Sequence, residues 1–397
     1  MSSDRLARID RHLQEHYVGP GKIAGCQTLV ARRGEVVHQG VIGNRDLARE
    51  RPMTEDTIFR IYSMTKPIAS VALMMLFEEG RFALFDPVHR FLPAFRDLGV
   101  YVQGRYPAFA TRPTERAMTV HDLLTHQSGL TYGFMQRTNV DAAYRRCGVG
   151  EHKEGDTLAR LIETLAGLPL EFSPGAAWNY SVSTDVVSRL VEVISGRPLD
   201  RFLEERIFRP LGMRDTGFAV PATSRERFAA CYTRGPGKKL VLEDDPEDSR
   251  WGRDVTFFSG GGGLVSTARD YLRFCEMLRA GGALGGVRLL SRKTLQLMTR
   301  NHLPGGQDLT ASALGHFAET RYEGQGFGLG FSVVLDPVTA RTTASAGSFG
   351  WGGAASTIFW VDPAEELVAI FLTQLIPSRT FDFRGQLQAI VYGALED

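Results

Sequence analysis

Ser63 and Lys66 stand three residues apart in Phe59-Arg60-Ile61-Tyr62-Ser63-Met64-Thr65-Lys66-Pro67, which runs directly into the apolar stretch from Ile68 to Phe77. Positions i and i+3 share one face of a helix, so the stem of Lys66 can bring its amine to the Ser63 hydroxyl. A serine hydroxyl becomes a nucleophile when a neighbour takes its proton. A lysine takes it only when neutral, which requires burial or nearby positive charge to lower a pKa of about 10.4. The pair predicts acyl transfer through a covalent ester on Ser63. The rival reading is a helix start followed by a solvated lysine. Lysine is scarce here, at Lys22, Lys66, Lys153, Lys238, Lys239 and Lys293, and only Lys66 has a serine three residues before it. Pro67 clashes with a carbonyl four residues back, so helical hydrogen bonding is expected to begin near Ser63. That sets the serine at the positive end of the helix dipole, where a developing oxyanion is favoured.

Other residues could join this chemistry. Tyr180, in Trp178-Asn179-Tyr180-Ser181, precedes a helical run and follows the turn Ser173-Pro174-Gly175. A tyrosine sharing its proton with a lysine can serve as base and then acid; the alternative is an aromatic packed between domains. Ser348-Phe349-Gly350-Trp351-Gly352-Gly353-Ala354 precedes an expected strand, Ala354 to Val361. Its glycines would let a strand edge approach a substrate and aim a backbone N–H at an oxyanion, or simply ease a bend. The run Gly260 to Gly263 lacks the Lys-Ser/Thr of a phosphate loop, and close backbone approach beside a cleft accounts for it better. Ala346-Gly347-Ser348-Phe349-Gly350 is the nearest string to a G-x-S-x-G elbow, but alanine holds its first position. His121 and His126 are five apart without the H-E-x-x-H pattern, so structural roles are expected, with His126 hydrogen-bonded beneath the cleft.

The elements that must position these residues are legible in outline. A helical N-terminus, Met1 to Tyr17, leads to a hairpin, Cys26 to Ala31 and Glu35 to Gly40, and then to the helix behind Ser63, ending at Gly80. A loop-rich stretch precedes a helix from Thr119, and further helices are expected over Asp156–Ala166, Ser183–Ser195 and Leu199–Ile207. Thr267 with Asp270 resembles a capping box. Strands follow at Gly328 to Leu335, Ala354 to Val361 and Leu367 to Gln374, before a helix from Gly385 to Ala394. Strands at both ends with helices between predict an α+β fold: an antiparallel sheet flanked by helices, with a mostly helical domain inserted. The expected division is 1–85 with 255–397 as the discontinuous sheet domain, and 86–254 as the helical one.

Composition narrows the function. Charged residues make up 23% and apolar ones 43% of 397 residues, and the net charge is +1, which argues against a nucleic-acid partner. Cys26, Cys147, Cys231 and Cys275 show no metal spacing, so free thiols and neither metal nor cofactor are expected. The absence of an apolar signal segment or membrane span points to a soluble, cytoplasmic protein.

With these elements in order, the sequence resembles the serine β-lactamase/penicillin-binding-protein superfamily, and within it the family VIII carboxylesterases, relatives of class C β-lactamases. The resemblance covers nearly the whole chain. It rests on Ser63-Met64-Thr65-Lys66, His121 to Leu130, Phe172-Ser173-Pro174-Gly175, Tyr180-Ser181, Pro210-Leu211-Gly212-Met213, Gly260 to Leu264 and Trp351-Gly352-Gly353. It implies a β-lactamase-like fold with Ser63 as nucleophile, Lys66 as its hydrogen-bonded partner and Tyr180 as base and later acid. The N–H groups of Ser63 and Ala354 would form the oxyanion hole. Trp351, Gly352 and Gly353 would line the acyl pocket, with Tyr132, Phe134 and Trp178 as aromatic walls. Two departures bear on substrate. Trp351-Gly352-Gly353 stands where β-lactamases carry Lys-Thr-Gly, which removes the cation that meets a β-lactam carboxylate. Val182 stands where a Tyr-x-Asn or Ser-Asp-Asn motif would supply an amide. Both imply a small neutral ester as substrate and weak β-lactam turnover. An acyltransferase is the enzyme alternative; a non-catalytic binding protein would be expected to lack one of the three central residues.

Overall fold

The computed structural model describes residues 1–151, 155–315 and 321–397. Its centre is an eight-stranded antiparallel sheet made from both ends of the chain. In chain order the strands are β1 (Gly25–Arg32), β2 (Glu35–Asp46), β3 (Arg51–Pro52), β4 (Gln325–Phe327), β5 (Ser332–Val334), β6 (Phe349–Gly353), β7 (Thr357–Asp362) and β8 (Leu367–Thr373). The spatial order is β4-β5-β6-β7-β8-β1-β2-β3. β1 pairs with β8 from Cys26↔Thr373 to Arg32↔Leu367, which joins the two chain ends at mid-sheet.

Alternation along these strands sorts the core into two layers. Leu29, Phe349, Trp351, Phe359, Val368 and Ile370 belong to the large cluster shared with the middle of the chain. Val30, Ile358, Trp360, Ala369 and Phe371 face the other way, onto the N-terminal helices and the last helix, Phe383–Tyr392. The N-terminal helical residues Ser3–Leu6 and Arg8–Leu13 supply Leu6, Ile9 and Leu13 to that layer.

The helix after Ser63, α1 (Thr65–Glu78), has 12 of its 14 residues buried, from Thr65 to Leu76. A helix apolar all round is a central one. It packs on the next helix used here, α2 (Ser183–Ser195), which ends where Gly196 takes a left-handed φ of 71°. A third, α3 (Ala268–Arg279), lies against β7 and β8. Thr267 caps α3 by accepting from the Asp270 N–H, but the box is half formed: the Asp270 carboxylate accepts from the Asp215 N–H and Thr216 Oγ1 instead.

Several boundaries differ from expectation. The strand expected over Ala354–Val361 begins at Thr357, and Trp351, Gly352 and Gly353 form a strand of their own, β6. Ala354 belongs to the turn between them, where Ser356 has a φ of 63°. The expected strand Gly328–Leu335 is instead the turn of the β4–β5 hairpin followed by β5, the turn passing through Gly330, whose φ of 96° disfavours a side chain. A Cβ there would also collide with Ser70 Oγ of α1, so the hairpin tip lies directly on the central helix. The segment 86–254 carries helices and also a ribbon, Gly99–Arg105 with Ala108–Pro113, where the sequence predicts loop.

Candidate active site

Ser63 lies in a single 3-10 turn, Tyr62–Met64, at the entrance to α1. Its predecessor Tyr62 holds a φ of 41°, an uncommon left-handed value for a bulky residue, with its ring edge-on to Trp251 at 5.5 Å. Strain at this point turns the chain sharply and presents the next side chain at the helix mouth. The turn is held from three sides. The Ile61 N–H donates to Leu264 O at 3.2 Å, and the Leu264 N–H donates to Thr65 Oγ1 at 3.2 Å. Tyr271 of α3 donates its hydroxyl to Met64 O at 2.9 Å. Arg60, fully buried, donates to Asp244 at 2.6 Å and stacks on Phe228.

The structure brings together the three residues singled out for acyl chemistry. Lys66 Nζ donates to Ser63 Oγ at 3.2 Å and to Gly261 O at 2.6 Å. The Tyr180 hydroxyl donates to Ser63 Oγ at 2.7 Å. Ser63 is only 9% exposed, and Lys66 and Tyr180 are buried. Lys66 Nζ lies 4.6 Å from the Tyr180 ring centroid and 5.3 Å from that of Tyr132. Such an arrangement can take a proton from the serine hydroxyl and return it to a leaving group without moving a side chain.

Tyr180 is positioned by an exchange between segments 126–131 and 178–183. The Asn179 N–H donates to His126 O, Asn179 Nδ2 donates to Leu130 O, and the Val182 N–H donates to Thr131 O. Behind this pairing run Ser128, Ser183, Ser181 and His126, joined in sequence at 2.7, 2.7 and 3.1 Å. His126 therefore does sit beneath the cleft, its ring 5.1 Å from that of Tyr180. Burial, with Lys66 nearby, pushes its pKa well down, which disfavours the charged imidazolium. His121 is turned elsewhere, its Nε2 3.1 Å from His302 Nδ1. Among the described residues no group of three or more His, Cys, Asp or Glu side chains could hold a metal ion.

The aromatic residues distribute unevenly. Trp351 packs on Tyr180 at 5.5 Å and on Phe327, and Trp178 stacks behind Tyr180 at 6.2 Å. Both indoles are buried, so they brace the tyrosine ring. Phe134 is half-exposed and stacks on Tyr132 at 4.6 Å, giving the site an apolar rim. A Cβ on Gly353 would collide with Ile61 O, so β6 runs against the residues just before Ser63. Ser348 lies away from this cluster, buried and donating to Val361 O at 3.2 Å.

The sequence reading did not find Asp185. This carboxylate, in the first turn of α2, accepts from Ser259 Oγ at 2.6 Å and from the Gly261 N–H at 2.9 Å.

The chain is similar to known proteins across most of its length. A family model described as Beta-lactamase matches residues 10–392. Protein Rv1367c of Mycobacterium tuberculosis is 37% identical over 365 residues, 91% of this chain and 88% of that protein. Esterase EstB of Burkholderia gladioli is 34% identical over 383 residues, covering 92% of this chain and 88% of its own. Among solved structures, EstCE1, a hydrolase with promiscuous acyltransferase activity, superposes with a TM-score of 0.81 at 26% identity, covering 99% of each chain. With the fold, the length of the match and these relatives in agreement, the chain belongs to the beta-lactamase family and stands within it among the family VIII esterases.

Proposed function

We propose that the protein is a serine carboxylesterase that cleaves short-chain carboxylic esters through an acyl-enzyme on Ser63. The observation that carries this reading is the convergence of Tyr180 and Lys66 on Ser63 Oγ, at 2.7 and 3.2 Å, with all three side chains buried. Ser63 Oγ attacks the ester carbonyl as its proton passes to the Lys66/Tyr180 pair. The N–H groups of Ser63 and Ala354 receive the oxyanion; support for Ala354 is the close approach of its neighbour Gly353 to Ile61. Tyr180 then protonates the departing alcohol, and water attacks the acyl-enzyme by the same route to release the acid. Esterase EstB supports the choice of esters, and EstCE1, a hydrolase, supports hydrolysis on this fold. Trp351 in place of a lysine and Val182 in place of an amide-bearing residue disfavour β-lactams, because neither can bind their carboxylate or acylamino group.

The test is a parallel assay of p-nitrophenyl butyrate and nitrocefin with the parent, Ser63→Ala and Ser348→Ala. The expected outcome is rapid ester cleavage abolished only by Ser63→Ala, with nitrocefin turned over far more slowly. Nitrocefin turnover rivalling that of the ester would overturn the substrate assignment. A second reading, acyl transfer, shares the acyl-enzyme, and two observations favour considering it: the low exposure of Ser63 and the dual activity of EstCE1. Adding an alcohol acceptor and analysing products discriminates, since a transferase gives mainly the new ester and a hydrolase mainly the acid.

A further inference from the structure

Lys66 is oriented by a backbone carbonyl as well as by Ser63, and that carbonyl belongs to the glycine run. Gly261 accepts from Lys66 Nζ through its O and donates to Asp185 Oδ1 through its N–H. Ser259 Oγ donates to the same carboxylate oxygen. The loop leaves no space between itself and the two helices. A Cβ on Gly260 would collide with Ser188 Oγ of α2 and lie 2.9 Å from Ala69 Cβ of α1, and a Cβ on Gly261 would lie 2.6 Å from Asp185 Oδ2. One residue, Gly261, is thus bracketed by the Lys66 side chain on one side and the Asp185 carboxyl on the other, both buried.

We propose that Asp185 is a positioning residue for the site: it clamps the glycine loop so that the Gly261 carbonyl aims Lys66 at Ser63, and its negative charge holds a proton on the Lys66/Tyr180 pair. The inference rests on the esterase reading and deepens it. The titratable groups near Lys66 include Tyr132, Tyr180, His126 and Asp185. Asp185 Oδ1 accepts from both Ser259 Oγ and the Gly261 N–H, the hydrogen bonding of a carboxylate, so Asp185 is the acid that brings negative charge to this group. Burial raises the Asp185 pKa, while Ser259, Lys66 and the Gly261 N–H all oppose that rise. In a low-dielectric pocket such a charge is felt strongly by its neighbours.

The test reads the rate at which a fluorophosphonate labels Ser63, by intact mass, across pH, together with kcat and KM for p-nitrophenyl butyrate. Asp185→Asn keeps an oxygen for both donors and removes the charge. Removing a nearby anion makes the Lys66/Tyr180 pair lose its proton more easily, so the acid limb of labelling should move to lower pH, by about one unit. KM should change little. Ser259→Ala loosens the loop but leaves the charge, so kcat should fall while the acid limb stays in place. A parent labelled at Ser63 whose pH profile superimposes on that of Asp185→Asn would overturn the inference alone. So would a Ser259→Ala variant with unchanged kcat. A parent that labels at no serine would overturn the esterase reading, and the inference with it.

Discussion

Ser63, Lys66 and Tyr180 act through one shared proton, so their contributions are not separable. Removing any one of them should abolish the pathway that the other two serve. Ser63→Ala, Lys66→Met and Tyr180→Phe are each expected to lower kcat/KM for p-nitrophenyl butyrate by about 10³-fold or more. The double variant Lys66→Met/Tyr180→Phe should be within about tenfold of the worse single variant. Steady-state kinetics of the four proteins checks this; multiplicative losses would mean two independent proton carriers. Tyr180→Phe keeps the ring among His126, Trp178, Tyr132 and Trp351, so its loss should appear in kcat with little change in stability. The legibility of these residues follows how local their roles are. Ser63 and Lys66 meet across one helical turn, which spacing reveals. Tyr180 meets them from a distant segment, and its own residues left the packing alternative open until the family resemblance decided it. Asp185 was invisible because its partners, Ser259 and Gly261, lie in a loop whose path over α2 no local pattern encodes.

At the scale of elements, the glycine run is a spacer that lets backbone touch helix. Gly260→Ala should therefore destabilise the fold through overpacking against Ser188 and Ala69, by about 1–3 kcal/mol. Adding Ser188→Ala should recover part of that loss, since the hydroxyl is the nearest obstacle. Urea unfolding of the parent, the single and the double variant measures both effects, and an unaltered midpoint for Gly260→Ala would contradict the packing described. The helices were legible where apolar periodicity and end signals agree, as in Ser183–Ser195 with Gly196 beyond it. β6 was misread because Phe349-Gly350-Trp351-Gly352-Gly353 has no β-branched residue and three glycines. Its extended form is imposed by pairing with β5 and β7, which is tertiary information. The ribbon 99–113 escaped for a related reason: most of its residues are exposed, so no buried face stamped an alternation on the sequence.

At the scale of the whole molecule, the site lies where the central helix, the segments 126–131 and 178–183 and the sheet strand β6 meet, and three buried or half-buried imidazoles stand near this junction. His126 is packed beneath Tyr180, while His121 and His302 join the helix Val120–Leu124 to the segment that follows the helix Arg292–Met298. All three have pKa values lowered, chiefly by burial. A histidine with a depressed folded-state pKa binds protons less readily folded than unfolded. Stability therefore falls as pH drops below the unfolded value of about 6.5, until the folded pKa is reached. Asp185, Asp270 and Glu171 act in the opposite sense, since burial raises their pKa values and favours the folded form as they take up protons. Comparing variants removes that background. His126→Asn keeps a polar side chain for Ser181 and tolerates the left-handed φ of 57° at this position. It should be less stable than the parent at pH 7.5, yet lose less on acidification to pH 5.5, the slopes differing by up to about 1.4 kcal/mol per pH unit. Chemical denaturation at the two pH values gives both slopes directly. Parallel slopes would mean that His126 accepts a proton inside the fold, which its enclosure among Trp178, Tyr180 and Phe327 leaves no solvent to stabilise.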